Sequence, residues 1–88
     1  MPPFDHGDLI KIKSQHSFSY MLKDHGDSTP KFTMTYLSNE DVGIALDFNV
    51  PKELENSHIH YIRVIFRGSI GYISKDMFVI LQKVEENG

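Results

Sequence analysis

The chain has 88 residues, 40% of them hydrophobic and 24% charged, with nine Lys and Arg against twelve Asp and Glu for a net charge of −3. This is one domain of ordinary globular composition, and its acidic balance disfavours a sequence-tolerant nucleic-acid binder, whose affinity comes mostly from neutralising phosphates. With no cysteine there is no disulfide framework, thiolate nucleophile or Cys-based zinc site. No apolar leader core and no run of bilayer-spanning length occur, so the chain reads as soluble and cytoplasmic.

Residues 1–7, with Pro2, Pro3 and Gly7, are expected to form a loose tail. From Leu9 to Lys13, Ile10 and Ile12 alternate with lysines, the pattern of a half-buried strand; Ser14 to His16 break it. Phe18, Tyr20 and Leu22 then alternate with Ser19, Met21 and Lys23, and Phe32, Met34 and Tyr36 with Thr33, Thr35 and Leu37. The turn formers from Asp24 to Pro30 join these two stretches into a hairpin with a long loop. Thr, Tyr and Phe favour a pleated surface, which argues against a helix here.

Val42–Phe48 is the next strand, with Val42, Ile44, Leu46 and Phe48 on one face and Gly43 and Ala45 on the other, where a neighbouring backbone or ring can approach closely. Asn49–Ser57 is an acidic loop in which residues 51–55 can make one helical turn. His58–Phe66 is the strongest strand signal. Arg67-Gly68-Ser69 turns the chain, Ile70–Ile73 returns, Ser74–Met77 makes a short turn, and Phe78–Leu81 closes the sheet. Residues 83–88 are expected to trail off as a charged tail.

Gly7-Asp8-Leu9-Ile10-Lys11, Val42-Gly43-Ile44-Ala45-Leu46, Ile62-Arg63-Val64-Ile65-Phe66, Ile70-Gly71-Tyr72-Ile73 and Asp76-Met77-Phe78-Val79-Ile80 follow one another in an order that resembles small SH3-like barrel proteins. Short uncharacterised reading frames of marine tailed phages share it. The match covers residues 7–11 and 42–81, with Phe66 and Tyr72 standing where such sequences often carry Trp. The resemblance implies an all-β, SH3-like barrel of about five strands over residues 8–82, with a β-hairpin inserted at about residues 14–41. It brings no catalytic residue, and for a phage-encoded chain it implies the host cytoplasm. Against the peptide-binding SH3 domains the match is poorer: Ser74 stands where a groove proline is expected, although Tyr36, Phe48, Tyr61 and Tyr72 are the aromatics that such a groove would use.

Few residues point to chemistry. His58 and His60, two apart on an expected strand, have the spacing of a metal pair, with His6, His16 or His25 as a third ligand; incidental histidines at a strand's exposed start account for them better. Asp24 with Asp27, and Glu53 with Glu55, are carboxylate pairs in polar loops with nothing to shift their pKa values. No G-x-S-x-G and no phosphate-cradling loop occurs. The expectation is therefore a chain that is not an enzyme and holds no cofactor or metal.

The feature that calls for an explanation is the strand around residue 62. Ile62, Val64 and Phe66 supply one apolar face, but Ile59, Tyr61 and Ile65 make the opposite face nearly as apolar, whereas a barrel core takes only one. Either the hairpin folds back to cover the second face, or the face is a contact surface. The expected function is a non-enzymatic binding or structural module, with a protein partner or a second copy (a homodimer) meeting Ile59, Tyr61, Arg63 and Ile65, or the Tyr20 and Tyr36 hairpin. Arg63 would anchor a partner carboxylate. The alternative is a nucleic-acid-contacting small barrel using Lys11, Lys13, Arg63 and Arg67. No small-molecule ligand is indicated.

Overall fold

Period-two alternation, rich in β-branched and aromatic residues, runs through most of the chain, and the computed structural model is built accordingly. It describes residues 4–13, 19–55 and 58–84. Among them are seven strands, β1 (Leu9–Ile12), β2 (Ser19–Asp24), β3 (Phe32–Leu37), β4 (Val42–Asp47), β5 (Tyr61–Phe66), β6 (Ser69–Ser74) and β7 (Phe78–Gln82), with one short helix, α1 (Lys52–Glu55), between β4 and β5. The expected strand start at Phe18, the histidine at 16, and residues 1–3, 56–57 and 85–88 lie outside the described residues. Among the described residues no helix is long and apolar enough to cross a membrane.

All seven strands form one antiparallel sheet in the order β3-β2-β6-β5-β4-β1-β7. The all-β class is as expected, but the sheet is open and seven-stranded rather than a closed barrel of five. The difference lies in the hairpin. Instead of standing apart, β2–β3 joins the edge of β6, with Leu22 opposite Tyr72 and Lys23 opposite Gly71. Gly71 permits this approach, because a Cβ there would fall onto the Met21 side chain and 2.7 Å from the Leu22 carbonyl oxygen. The five strands carrying the resemblance, β6-β5-β4-β1-β7, are consecutive neighbours.

One face of the curled sheet makes the core. Ile10, Ile12, Met21, Ile62, Val64, Phe66 and Ile73 are buried there, with Leu37 and Phe78 at its margins. On β4 the inward residues are Gly43 and Ala45, so Val42 and Ile44 face outward, and a register shift at Leu46 brings Asp47 opposite Arg63 on the outer face. The reason is steric: the Phe66 ring lies over Gly43 and fills the space that a side chain would need. At the β5–β6 hairpin, Arg67 and Gly68 both have positive φ (52° and 73°), the two-residue turn whose twist suits adjoining strands.

The tails are shorter than expected. Phe4 is buried in the core, its ring 4.9 Å from Phe48 and 5.9 Å, edge-on, from Phe78. Asp8 is fully buried, and its carboxylate accepts hydrogen bonds from the Asp5 N–H (2.8 Å), the Val84 N–H (2.7 Å) and Lys83 Nζ (2.7 Å). Lys83 also reaches Asp5 at 2.9 Å. The Gly7-Asp8 motif is thus a clasp between the start of β1 and the chain leaving β7, and residues 4–7 and 83–84 belong to the domain.

Candidate functional site

The face of the sheet opposite the core is the candidate site, and its content follows from register. Leu9 lies opposite Ile44, Ile44 opposite Ile65 and Ile65 opposite Ile70, an aliphatic row crossing β1, β4, β5 and β6. Beside it runs a mixed row over five strands: Met34, Leu22, Tyr72, Arg63 and Asp47. Tyr20 and Tyr36 face one another on the hairpin. Val42 (52% exposed), Ile70 (43%) and Met34 (54%) show how much of this apolar surface meets solvent. The hairpin pairs with β6 and extends the second face sideways; its Phe32 and Asp24 close over Tyr72, while Val42 and Ile70 stay exposed.

The arginine charges bordering the face are paired within the chain. Arg63 donates from Nε to Asp47 Oδ1 (3.0 Å) and from a terminal nitrogen to Oδ2, a bidentate pair. Burial works against the Asp47 charge, and Arg63 with the Asn49 N–H more than offsets it, holding the carboxyl below the usual range. The Tyr72 hydroxyl donates to Asp24 Oδ2 at 2.7 Å, and Phe32 packs edge-on against the Tyr72 ring at 6.0 Å. That hydrogen bond and the Gly26 N–H lower the pKa of Asp24. Asp24 is therefore no solvated loop charge but the end of β2, held in place. At the far end of β5 the Arg67 guanidinium grips Asp41 at 2.8 Å.

Tyr72 itself is 4% exposed. Burial, then the hydrogen bond to the charged Asp24, pushes its pKa well above the ordinary tyrosine range. A folded-state value raised in this way stabilises the fold below about pH 10 and is lost as the pH rises through the folded value. Titrated at 295 nm, the folded protein should therefore gain no more phenolate than Tyr72→Phe does, the extra signal appearing only with alkaline unfolding. An additional phenolate near pH 10 in the folded state would contradict the burial.

A groove of about 380 Å³ opens where the β4–β5 connection meets the start of β5, lined by Phe48, Leu54, Ile59, His60, Tyr61 and Lys75 among others. The Lys75 N–H donates to the His60 carbonyl at 2.9 Å, fixing one wall. Phe48 is 49% and Ile59 40% exposed. Comparison of the chain with protein-family models, characterised proteins and solved structures returned no match. No relative ties it to phage reading frames.

The structure sorts the expected contact residues into three places. Ile59 and Tyr61 line the groove, although Ile59 lies in the bend before β5, which begins at Tyr61 rather than His58. Arg63 and Ile65 follow on the same face, Arg63 committed to Asp47 instead of open to a partner's carboxylate, and Ile65 in the aliphatic row. Tyr20 and Tyr36 lie out on β2 and β3. Of the aromatics expected in a peptide groove, Phe48 and Tyr61 line one, whereas Tyr72 is buried and Tyr36 stands on the hairpin.

His58 and His60 fall in an exposed non-strand segment, so the same-face argument for a metal pair lapses, and among the described residues no group of three His, Asp or Glu could hold an ion. Of the four cations weighed for nucleic acid, Arg63 and Arg67 are each in a carboxylate pair, while Lys11 stands on β1 between Val42 and Val79. Asp47 and Leu54 were not legible as site residues. Asp47 is 16 residues from its partner Arg63, and no local spacing announces the pair.

Proposed function

We propose that this chain is a non-enzymatic protein-binding module, built on an SH3-like frame with an added hairpin, that meets a protein partner across the outer face of its sheet. One observation carries the reading: the row Leu9, Ile44, Ile65, Ile70 spans four strands on the side away from the core. A sheet needs one apolar face to fold, and a second is more than the fold requires. The in-chain pairs of Arg63 with Asp47 and Arg67 with Asp41 flank that row and leave it without an uncompensated arginine to desolvate on contact. The groove of Ile59, Tyr61 and Phe48 borders the start of β5 and offers a concave seat for one anchoring side chain of the partner.

The reading is tested with peptides selected from a displayed random library. Bound peptides should shift the methyl resonances of Ile44, Ile65 and Ile70. The exposed-site variant Val42→Lys/Ile70→Lys should bind at least about tenfold more weakly, because one buried aliphatic side chain contributes about 1.5–3 kcal/mol. Peptides that bind this variant as tightly as the wild type, or that leave those methyls unmoved, would refute the face as the contact.

A further inference from the structure

We propose that the chain forms a two-fold dimer in which β3 pairs antiparallel with β3 of a second copy. Among the described residues β3 is the last strand of the sheet and has β2 alone beside it, so the other side of its backbone offers N–H and C=O groups for a further strand. Edge strands that remain unpaired in solution are usually short, charged, broken by proline or twisted by a bulge. β3 has none of these guards. Its six residues, Phe-Thr-Met-Thr-Tyr-Leu, contain no charge and no proline, and all six pair one-to-one with β2 without a register shift. The opposite edge differs: β7 shifts register against β1 at Leu9/Ile10, and the chain beyond it is held by Asp8.

The side chains select the occupant as a second copy. In an antiparallel pair centred on Thr35, Met34 of each copy lies opposite Tyr36 of the other, as a two-fold axis requires. These residues are 54% and 63% exposed, and a thioether against an aromatic ring is a favourable contact. Lys31 precedes the strand and Glu40 follows it, so the same arrangement lays the basic end of each strand along the acidic end of its partner, twice. The inference is independent of the outer-face reading, since it uses the backbone edge and not the aliphatic row.

Sedimentation of the full chain tests it. The wild type should approach twice the chain mass as concentration rises. M34K/Y36K, which sets lysine against lysine across the axis, should sediment at the single-chain mass with an unchanged far-ultraviolet spectrum. M34K/Y36E, which sets lysine against glutamate, should recover the dimer. A wild type of single-chain mass at millimolar concentration, an M34K/Y36K protein as dimeric as wild type, or an M34K/Y36E protein as monomeric as M34K/Y36K would each overturn the proposal. Where the variants fail to fold, hydrogen exchange of the wild type decides: alternate β3 amides should slow as concentration rises, and protection independent of concentration would overturn it. Val42→Lys/Ile70→Lys should leave the mass unchanged, which separates this surface from the outer face.

Discussion

Asp8→Ala should lower the unfolding free energy by about 3 kcal/mol, since it strands two backbone donors that now share a charged acceptor, and hydrogen bonds to charged groups are worth about 1.5–3 kcal/mol each. The carboxylate is fully buried and takes the N–H groups of Asp5 and Val84 together with Lys83 Nζ. A loss of that size is a large share of the 5–15 kcal/mol typical of a domain, and for a chain this short it amounts to a melting temperature lower by about 15 °C. Asp8→Asn should cost nearly as much. One carboxylate oxygen faces Val84 and the other faces Asp5 and Lys83, so an amide must turn its NH₂ toward a donor on one side. Urea unfolding of both variants at neutral pH checks this, and an Asn variant as stable as wild type would show that the clasp is not held by charge.

The same clasp sets an acid limit. Burial opposes the Asp8 charge, but the Asp5, Lys83 and Val84 donors outweigh it and hold the carboxyl below the usual carboxylate range. Asp24, Asp41 and Asp47 are lowered too, led by the Tyr72 hydrogen bond, by the Arg67 hydrogen bond, and by Arg63 working against burial, respectively. A carboxyl depressed in the folded state contributes stability that is fully present above about pH 3.8 and is lost as the pH falls through its folded value. Wild-type stability should therefore fall steeply below that pH. The ionic part of the Asp8→Ala difference should shrink over the same window.

The placing of strands was legible because alternation is local: a period of two is visible within five or six residues, and the bounds of β3, β4 and β7 follow it to within a residue. The α1 turn and the Arg67-Gly68 hairpin were legible for the same reason, as short-range turn chemistry. What alternation does not reveal is which face turns inward. On β4 the bulkier Val42 and Ile44 are outward, and the small Gly43 and Ala45 are inward, Gly43 under the Phe66 ring. That choice depends on a residue 23 positions away. The role of Asp8 was hidden in the same way, since two of its three partners are 75 and 76 residues distant. The docking of β2 on β6 was hidden too, because alternation within a hairpin says nothing about the strand that its outer edge will meet.

Gly43→Ala is the substitution that tests this arrangement most directly, and it should cost about 2–3 kcal/mol, the upper part of the range for forcing an extra methyl into a packed core. An added Cβ would lie 2.6 Å from the Ile65 carbonyl oxygen and 2.6 and 2.7 Å from two Phe66 ring carbons. The first obstacle is backbone within the β4–β5 ladder and cannot swing away; the second is a ring locked in the core. At Gly71 the nearest obstacle is the flexible Met21 side chain, so Gly71→Ala should be milder, although the Leu22 carbonyl oxygen at 2.7 Å keeps it from being neutral. A double-mutant cycle separates the two obstacles at Gly43. Phe66→Leu removes the ring edge and should recover part of the Gly43→Ala loss, leaving the part due to the carbonyl. Because Ile44 follows Gly43 directly and stands in the aliphatic row between Leu9 and Ile65, any relaxation that separates β4 from β5 also breaks the outer row. Gly43→Ala should therefore weaken peptide binding as well as stability. If it left both unchanged, the small residues of β4 would not be what holds the two faces in register.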